Sequence, residues 1–522
     1  MPVKPDNVAA LEVPPQKRAV RFMGLGPASR DSVLGGRATH LLWVSVGCLC
    51  FLVFALALLR LGRAPLWRDE AWSVAVADRS IPGSLHVVAF RETNMGFYYL
   101  LLNVWVHVGG TGESWVRALS LIAAVATIPV VAATARRLTA TTSSVLGVSA
   151  LLAVNPFFLT YAREARAYSL ALLLTALSSL LFLRCMERPS AGALTSYAVV
   201  LVAAEYTQLL AILVVLPHVL ALARRRQLRA RRWRLTYAGV VLALLPLAAA
   251  VVVNRHNQAG WIPRLSLGTL PRFATALTGD RFLLAGETAL IVVALLSAWR
   301  LRDHLAAVTA FALVSFLGPI AVVAGLSLRK PLFVDRYLIP VLPALALLVI
   351  VGLARVASVR VWVAGAAAAG LVVTSLVVDA SIIQQREKVE DLRTAVGWVQ
   401  SQVHPTDALL YAPAWARVGF ERYAGRDRAA GAADVALVPQ GDGVDTGDVL
   451  AHEFPSAEVD RRLHGHPRVW IVGYPNDSWT ISPEPASMVL AEHQGDWVLL
   501  DDRRFGQFDV RLYATGSGGR SG

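Results

Sequence analysis

Between Leu41 and Leu59 the chain carries no charged residue, and the same holds for Ala118–Ala135, Leu138–Ala162, Ala167–Leu183, Leu235–Asn254, Leu305–Leu328, Tyr337–Ala354 and Val361–Val378. A helix needs roughly 17–25 such residues to cross the hydrocarbon core of a bilayer, because only a helix or a closed barrel satisfies its backbone there. Three weaker stretches, Pro189–Ala204, Tyr206–Ala223 and Phe282–Trp299, fit between them, the last interrupted by Glu287, which makes eleven candidate spans. Composition agrees with a membrane protein. Only 16% of the residues are charged and the mean hydropathy is +0.52, whereas a soluble domain carries about 25% charged residues.

The formal net charge of +14 raises the question of nucleic acid, and its distribution answers it. The densest basic run is Arg224, Arg225, Arg226, Arg229, Arg231, Arg232 and Arg234, a short link between two apolar stretches. No nucleic-acid-binding module surrounds it, and short arginine-rich links are what cytoplasmic loops carry. The three cysteines, Cys48, Cys50 and Cys185, lie in or beside apolar stretches and support no disulfide framework.

Charge also sets the expected topology. Residues 1–40 are polar, lack the layout of a signal peptide, and read as a disordered cytoplasmic tail. With the first span running outward, Arg136 and Arg137, Arg184 and Arg188, the seven-arginine loop, Arg300 and Arg302, and Arg355 and Arg360 all fall inside, while Arg329 and Lys330 fall outside. Eleven crossings then leave the C-terminus outside. Phe97–Val108 is apolar but short, and reads as a helix lying in the interface of an outer loop at 60–117; a true crossing there would reverse the parity.

The expected architecture is a polytopic α-helical membrane protein of about eleven transmembrane helices, in the plasma membrane, with a small C-terminal extracytoplasmic α/β domain. The membrane domain covers 41–379 and the α/β domain 380–515, followed by a flexible tail at 516–522. In the second domain Gln384–Gln402 reads as a helix, Ala408–Tyr411 and Arg468–Gly473 as buried strands, and Trp497–Leu500 with Asp509–Tyr513 as a terminal hairpin. No glycine-rich phosphate loop opens it, and no catalytic role is expected of it.

Transporters place ionisable residues at mid-membrane depth. Here the acids gather at outer loops and outer span ends instead. Three clusters stand out. Trp67-Arg68-Asp69-Glu70-Ala71-Trp72 sets two carboxylates beside interfacial tryptophans, where one can serve as a general base; by itself it also reads as a solvated loop with tryptophan anchors. Tyr161-Ala162-Arg163-Glu164-Ala165-Arg166-Ala167-Tyr168 offers two guanidinium groups shaped for phosphate, or a snorkelling belt at a helix end. Asp335-Arg336-Tyr337 precedes a span, and Arg336 there meets either a phosphate or Asp335.

In order along the chain, these clusters resemble a known pattern. Asp69-Glu70-Ala71-Trp72, Phe97-Tyr98-Tyr99-Leu100-Leu101-Leu102, Glu113-Ser114-Trp115-Val116-Arg117, Asn155-Pro156-Phe157, Arg163-Glu164-Ala165-Arg166-Ala167-Tyr168, Tyr206-Thr207-Gln208 and Asp335-Arg336-Tyr337-Leu338-Ile339-Pro340 are similar to motifs of the glycosyltransferase family 39-like, protein-mannosyltransferase-like group of C-type (GT-C) membrane glycosyltransferases from actinobacteria. The resemblance implies a GT-C-like fold and an inverting transfer of a sugar, with mannose first and arabinose as an alternative, from a polyprenyl-phosphate donor. The acceptor it implies is an extracytoplasmic glycan, glycolipid or protein.

On that resemblance Asp69 matches the catalytic carboxylate with Glu70 beside it. Arg163, Glu164 and Arg166 match positions near the donor phosphate, joined by Arg336 and Tyr337. Many relatives carry His-Pro-Pro before the paired tyrosines. Here the place reads Asn94-Met95-Gly96, so Asn94 and Tyr98 mark the expected acceptor loop, with acceptor identity and any divalent metal there left open. The residues form no dedicated metal-ligand set, and no cofactor is assigned. The competing readings are a polymerase or ligase of lipid-linked polysaccharide, a non-enzymatic lipid or sugar transporter, and a receptor whose outer domain binds cell-wall material.

Overall fold

The structure, a computed structural model, describes residues 36–59, 61–139, 141–253, 262–386, 390–425, 432–438, 449, 452–474, 488–489 and 497–515. The tail expected at 1–40 lies outside these residues except for 36–40, which already belong to the first helix, and the end at 516–522 lies outside them as well.

Nineteen α-helices are described. They are α1 (Gly36–Leu58), α2 (Arg68–Ala77), α3 (Ile81–Phe90), α4 (Gly96–Gly109), α5 (Glu113–Thr139), α6 (Thr142–Val154), α7 (Pro156–Ala162), α8 (Tyr168–Glu187), α9 (Ala191–Thr207), α10 (Val215–Arg224), α11 (Arg231–Val253), α12 (Thr269–Thr278), α13 (Arg281–Leu301), α14 (His304–Ser327), α15 (Leu342–Ala357), α16 (Val361–Arg386), α17 (Leu392–Gln402), α18 (Ala416–Ala424) and α19 (Ser456–Leu463). The strands are β1 (Ala408–Ala412), β2 (Ala433–Asp434), β3 (Arg468–Gly473), β4 (Trp497–Phe505) and β5 (Phe508–Thr515).

Each of the eleven apolar stretches falls on apolar helix, in three forms. Eight helical segments are long and apolar enough to cross a membrane among the described residues, and the bent pair α6–α7 makes a ninth where it is counted as one span. The stretches 189–204 and 206–223 correspond to the shorter apolar helices Ala191–Thr207 and Ala211–Arg224. The second of these is broken near its start. Backbone from Gln208 to Leu210 turns, a 3-10 segment runs over Ala211–Val214, and α10 begins at Val215. The 61° bend between α6 and α7 has a local cause. Pro156 pushes Asn155 out of the helical region, and Asn155 then caps α7, its Oδ1 accepting Phe158 N–H at 2.9 Å. Its amide also donates to Leu277 O at 3.1 Å, tying the bend to α12.

The 3-10 segment Asp335–Val341 leads into α15, and together they form the innermost span. Of its apolar window 78% is buried, against 11–28% for the spans of α1, α11, α13, α14 and α16, whose outer faces are left to lipid. Gly352 permits this depth, since a Cβ there would come 2.1 Å from Leu290 O on α13. The helix ends sort into two sets. Arg137 pairs with Glu187, Arg355 with Asp303 at 2.6 Å, and His304 meets Leu138 O at 2.7 Å, so these arginine-rich ends of α5, α8, α14 and α15 share one side. The opposite end of α5, the turn before α8 and the Asp335–Val341 segment meet α2.

The last span was expected to end near Asp379, with a helix over Gln384–Gln402 after it. Instead α16 continues to Arg386, and α17 starts at Leu392, where Asp391 Oδ1 accepts Thr394 N–H at 3.1 Å. The reason is that Asp379 does not mark a solvated terminus: it is buried against Arg163. Beyond α17 the chain forms a five-stranded sheet in the order β2-β1-β3-β5-β4, parallel across β2, β1 and β3 and antiparallel across β3, β5 and β4. The strands read from sequence are present as β1, β3 and the β4–β5 hairpin. Every residue of β1 is buried, as a strand covered on both faces requires. One face packs Leu409, Tyr411 and Trp470 against α17 and α18; the other packs Leu410 and Ile471 against Val459 and Leu463 of α19.

Candidate active site

The first turn of α2 sends its two acids in different directions, because neighbours on a helix point about 100° apart. Glu70 is buried at 1% exposure. Arg117 of α5 grips it with two bonds, Nε to Oε1 at 2.7 Å and Nη2 to Oε2 at 2.6 Å. Ala165 N–H donates to Oε1 at 2.8 Å and Trp67 N–H to Oε2 at 3.3 Å. Arg117 also donates to Leu61 O, Ala64 O and Pro65 O. Glu70 and Arg117 therefore tie α2, α5 and the turn at 163–167 into one unit, and the Glu70 carboxylate is fully occupied.

Asp69 keeps its side chain 21% exposed. Arg336 Nη2 donates to Asp69 Oδ2 at 3.2 Å, Arg166 Nη2 stands 3.9 Å from the same oxygen, and Arg68 Nε stands 3.8 Å from Oδ1. Arg166 is itself buried and aimed by three further bonds from Nη1, to Asp69 O at 3.1 Å, Ser73 Oγ at 3.0 Å and Tyr99 Oη at 3.3 Å. The Tyr168 ring serves both arginines, with each guanidinium carbon 5.9 Å from its centroid, and Arg336 also lies over Trp67 at 5.7 Å. Aromatic faces and one carboxylate thus hold two like charges together.

The other expected residues divide. Tyr337 is half-buried with its ring 6.4 Å from Tyr168, and it lines an apolar cavity with Thr175, Ala176, Leu210, Pro340 and Leu347. Glu164 is buried within electrostatic reach of Tyr98. Arg163 leaves the cluster. It makes a two-pronged pair with Asp379 of α16, 2.8 Å on each side, and a bond to Leu56 O at 3.2 Å. Tyr98 is fully buried, and burial pushes its phenol and that of Tyr99 up, so both remain protonated. Asn94 bridges loops, its Oδ1 accepting Leu209 N–H at 3.3 Å. Among the described residues no three His, Cys, Asp or Glu side chains come together as a metal-ligand set.

The reading from sequence missed the part taken by the C-terminal domain. Glu390 Oε2 accepts Arg68 N–H at 2.8 Å and Tyr474 Oη–H at 3.1 Å. The Arg68 guanidinium lies 5.3 Å from the Trp415 ring centroid and 5.6 Å from that of Tyr474. Leu66 N–H donates to Tyr423 Oη, which donates to Glu113 Oε1, both at 2.6 Å. No local pattern announces Glu390, because its partner lies 322 positions away. Arg117 carried a faint signal, a charge directly before the apolar stretch Ala118–Ala135.

The sequence matches no protein-family model and no curated protein. The fold is similar to that of ArnT from Cupriavidus metallidurans, with a TM-score of 0.56 at 16% identity in the apo state and 0.57 at 13% identity bound to undecaprenyl phosphate; each match covers 91% of this chain and 98% of that one. It is also similar to the oligosaccharyltransferase of Archaeoglobus fulgidus tethered with an acceptor peptide, with a TM-score of 0.53 at 11% identity over 92% of this chain and 74% of that one. At such identities the likeness concerns the fold, a multi-pass helical membrane architecture of the GT-C kind with a small C-terminal sheet domain.

Proposed function

We propose that this protein is an inverting glycosyltransferase that moves a sugar from a polyprenyl-phosphate donor to an acceptor on the outer face of the membrane. The observation that carries the reading is the convergence of two guanidinium groups on Asp69: Arg336 Nη2 lies 3.2 Å and Arg166 Nη2 3.9 Å from the same carboxylate oxygen. Two guanidinium groups aimed at one point are shaped for the oxygens of a phosphate. A phosphate held by Arg166 and Arg336 competes with Asp69 for the guanidinium groups and leaves its carboxylate available to the acceptor.

The chemistry follows. Asp69 takes the proton of the acceptor hydroxyl as that oxygen attacks the anomeric carbon, and the bond from that carbon to the phosphate oxygen breaks. Charge grows on the departing lipid phosphate, where Arg166 and Arg336 stabilise it. Inversion is favoured because Glu70 is locked by Arg117 and is not free to act as a second carboxylate. The apolar cavity running from Tyr337 past Thr175 and Leu210, about 80 Å³ in volume, is too small for a polyprenyl chain, which stays in the bilayer; the structure of ArnT bound to undecaprenyl phosphate supports a ligand of this class.

In this reading the arginine-rich helix ends are cytoplasmic and the site and sheet domain extracytoplasmic. The finer assignment, a mannosyltransferase of the actinobacterial type acting on a cell-wall glycolipid, polysaccharide or protein, rests on the sequence resemblance. Its test is a glycan and glycolipid comparison of a deletion strain with its complemented parent. Loss of one extracytoplasmic mannose linkage, with its polyprenyl-phosphate donor accumulating, is the expected result; identical profiles, or retention of the linkage with loss of another sugar, would remove the mannose assignment.

A further inference from the structure

We infer that Glu390 of the C-terminal domain is a positioning residue for Asp69, holding the N-terminus of α2 and drawing part of the Arg68 charge away from the neighbouring carboxylate; this rests on Asp69 being the base. Arg68 stands between two acids. Its Nε is 3.8 Å from Asp69 Oδ1 and 4.0 Å from Glu390 Oε1. The Glu390 side chain is 2% exposed, against 21% for Asp69. Three features fix the arrangement: the Arg68 N–H and Tyr474 hydroxyl bonds to Glu390 Oε2, the Trp415 and Tyr474 rings beside the guanidinium, and the isolated bridge from Glu390 to Gly506 at the β4–β5 turn.

The physical consequence is a division of charge. A guanidinium with one carboxylate partner neutralises it and dulls it as a base; a guanidinium shared by two does so less. Asp69 already faces Arg166 from the 163–167 turn, Arg336 and Tyr337 from the segment before α15, Tyr99 from α4 and Tyr168 from α8. A full pair with Arg68 would add a third competing cation. Glu390 faces Arg68, Tyr474 and, at longer range, Asp69; burial pushes its carboxyl up, opposed by the Arg68 N–H, the Arg68 charge and the Tyr474 hydroxyl. The sheet domain thus does more than cover the site: it supplies the counter-charge that keeps Arg68 from closing on the base.

The test uses the full-length protein in nanodiscs and needs no substrate. The pH dependence of carbodiimide labelling at Asp69, followed by peptide mass spectrometry, reports directly on that carboxyl. Glu390→Gln removes a negative charge and moves the labelling midpoint down by about half a unit to one unit; Arg68→Gln removes a positive charge and moves it up by a similar amount. Because Arg68 is 40% exposed on its side chain, the second variant keeps the test decisive if the first fails to fold. Midpoints that stay at the wild-type value would overturn the inference. Turnover of radiolabelled polyprenyl-phosphate mannose, measured alongside, separates the two ideas. Full activity in Asp69→Asn removes the base and leaves the charge coupling standing on the labelling result. An inactive Asp69→Asn with unmoved midpoints removes the role of Glu390 alone.

Discussion

Arg336 Nη2 and Asp69 Oδ2 meet at 3.2 Å across 267 positions of sequence, joining the first turn of α2 to the segment that opens the innermost span. If the guanidinium groups of Arg336 and Arg166 are the donor-phosphate ligands, each makes charge-assisted bonds worth roughly 1.5–3 kcal/mol. Arg336→Ala and Arg166→Ala are expected to lower kcat/KM for the lipid donor by about tenfold to a hundredfold, with folding largely retained for Arg336. Initial rates against donor concentration measure this, and unchanged donor kinetics in both variants would withdraw the phosphate assignment.

Arg163 separates from that pair. Its two-pronged contact with Asp379 is nearly buried, with side-chain exposures of 10% and 5%. Removing one partner of such a pair leaves an uncompensated charge and costs about 3–5 kcal/mol. Arg163→Ala is expected to lower the midpoint of thermal unfolding in detergent, and Arg163→Ala with Asp379→Ala to recover part of the loss. An Arg163→Ala variant with wild-type stability and impaired donor binding would restore its expected place at the phosphate.

The same reasoning covers Glu70. Its carboxylate accepts four N–H groups, so Glu70→Gln strands Arg117. The expected signature is destabilisation on the order of 3–5 kcal/mol, with activity per folded molecule falling less than in the Asp69 variant. Denaturant or thermal unfolding alongside active-site titration distinguishes this from a chemical role.

The topology is tested by cysteine-accessibility labelling. Single cysteines in the 224–234 loop are expected to resist an impermeant reagent in intact cells, and those in the sheet domain to react. Labelling of the loop would reverse the assignment of inner and outer faces.

Much of this was legible in the chain. Apolar length marked every helix long enough to cross a membrane, α13 despite Glu287, but not the short apolar helix α3, and the strands at β1, β3, β4 and β5 followed from short apolar runs between turn residues. The break near Gln208 escaped because a turn inside an apolar run changes neither hydropathy nor charge. Asp69, Arg166 and Arg336, each chosen from a separate cluster, are brought together. Arg163 was not separable from Arg166 by sequence, since both flank the same glutamate; only the turn after α7 sends one to Asp379 and the other to Asp69. The clamps on α2, from Arg117 at 47 positions and Glu390 at 322, depend on long-range packing that no local pattern encodes.

In the proposed reaction Asp69 accepts the acceptor's proton. Asp69→Asn preserves shape and hydrogen bonding but not basicity, and loss of a general base costs about 10²–10⁴-fold in rate. The decisive measurement is single-turnover transfer from radiolabelled polyprenyl-phosphate sugar by purified Asp69→Asn protein in nanodiscs, with donor binding measured on the same sample. The expected result is a rate lower by about that factor with the donor still bound. Near-normal transfer by Asp69→Asn would remove Asp69 as the base and place the chemistry elsewhere.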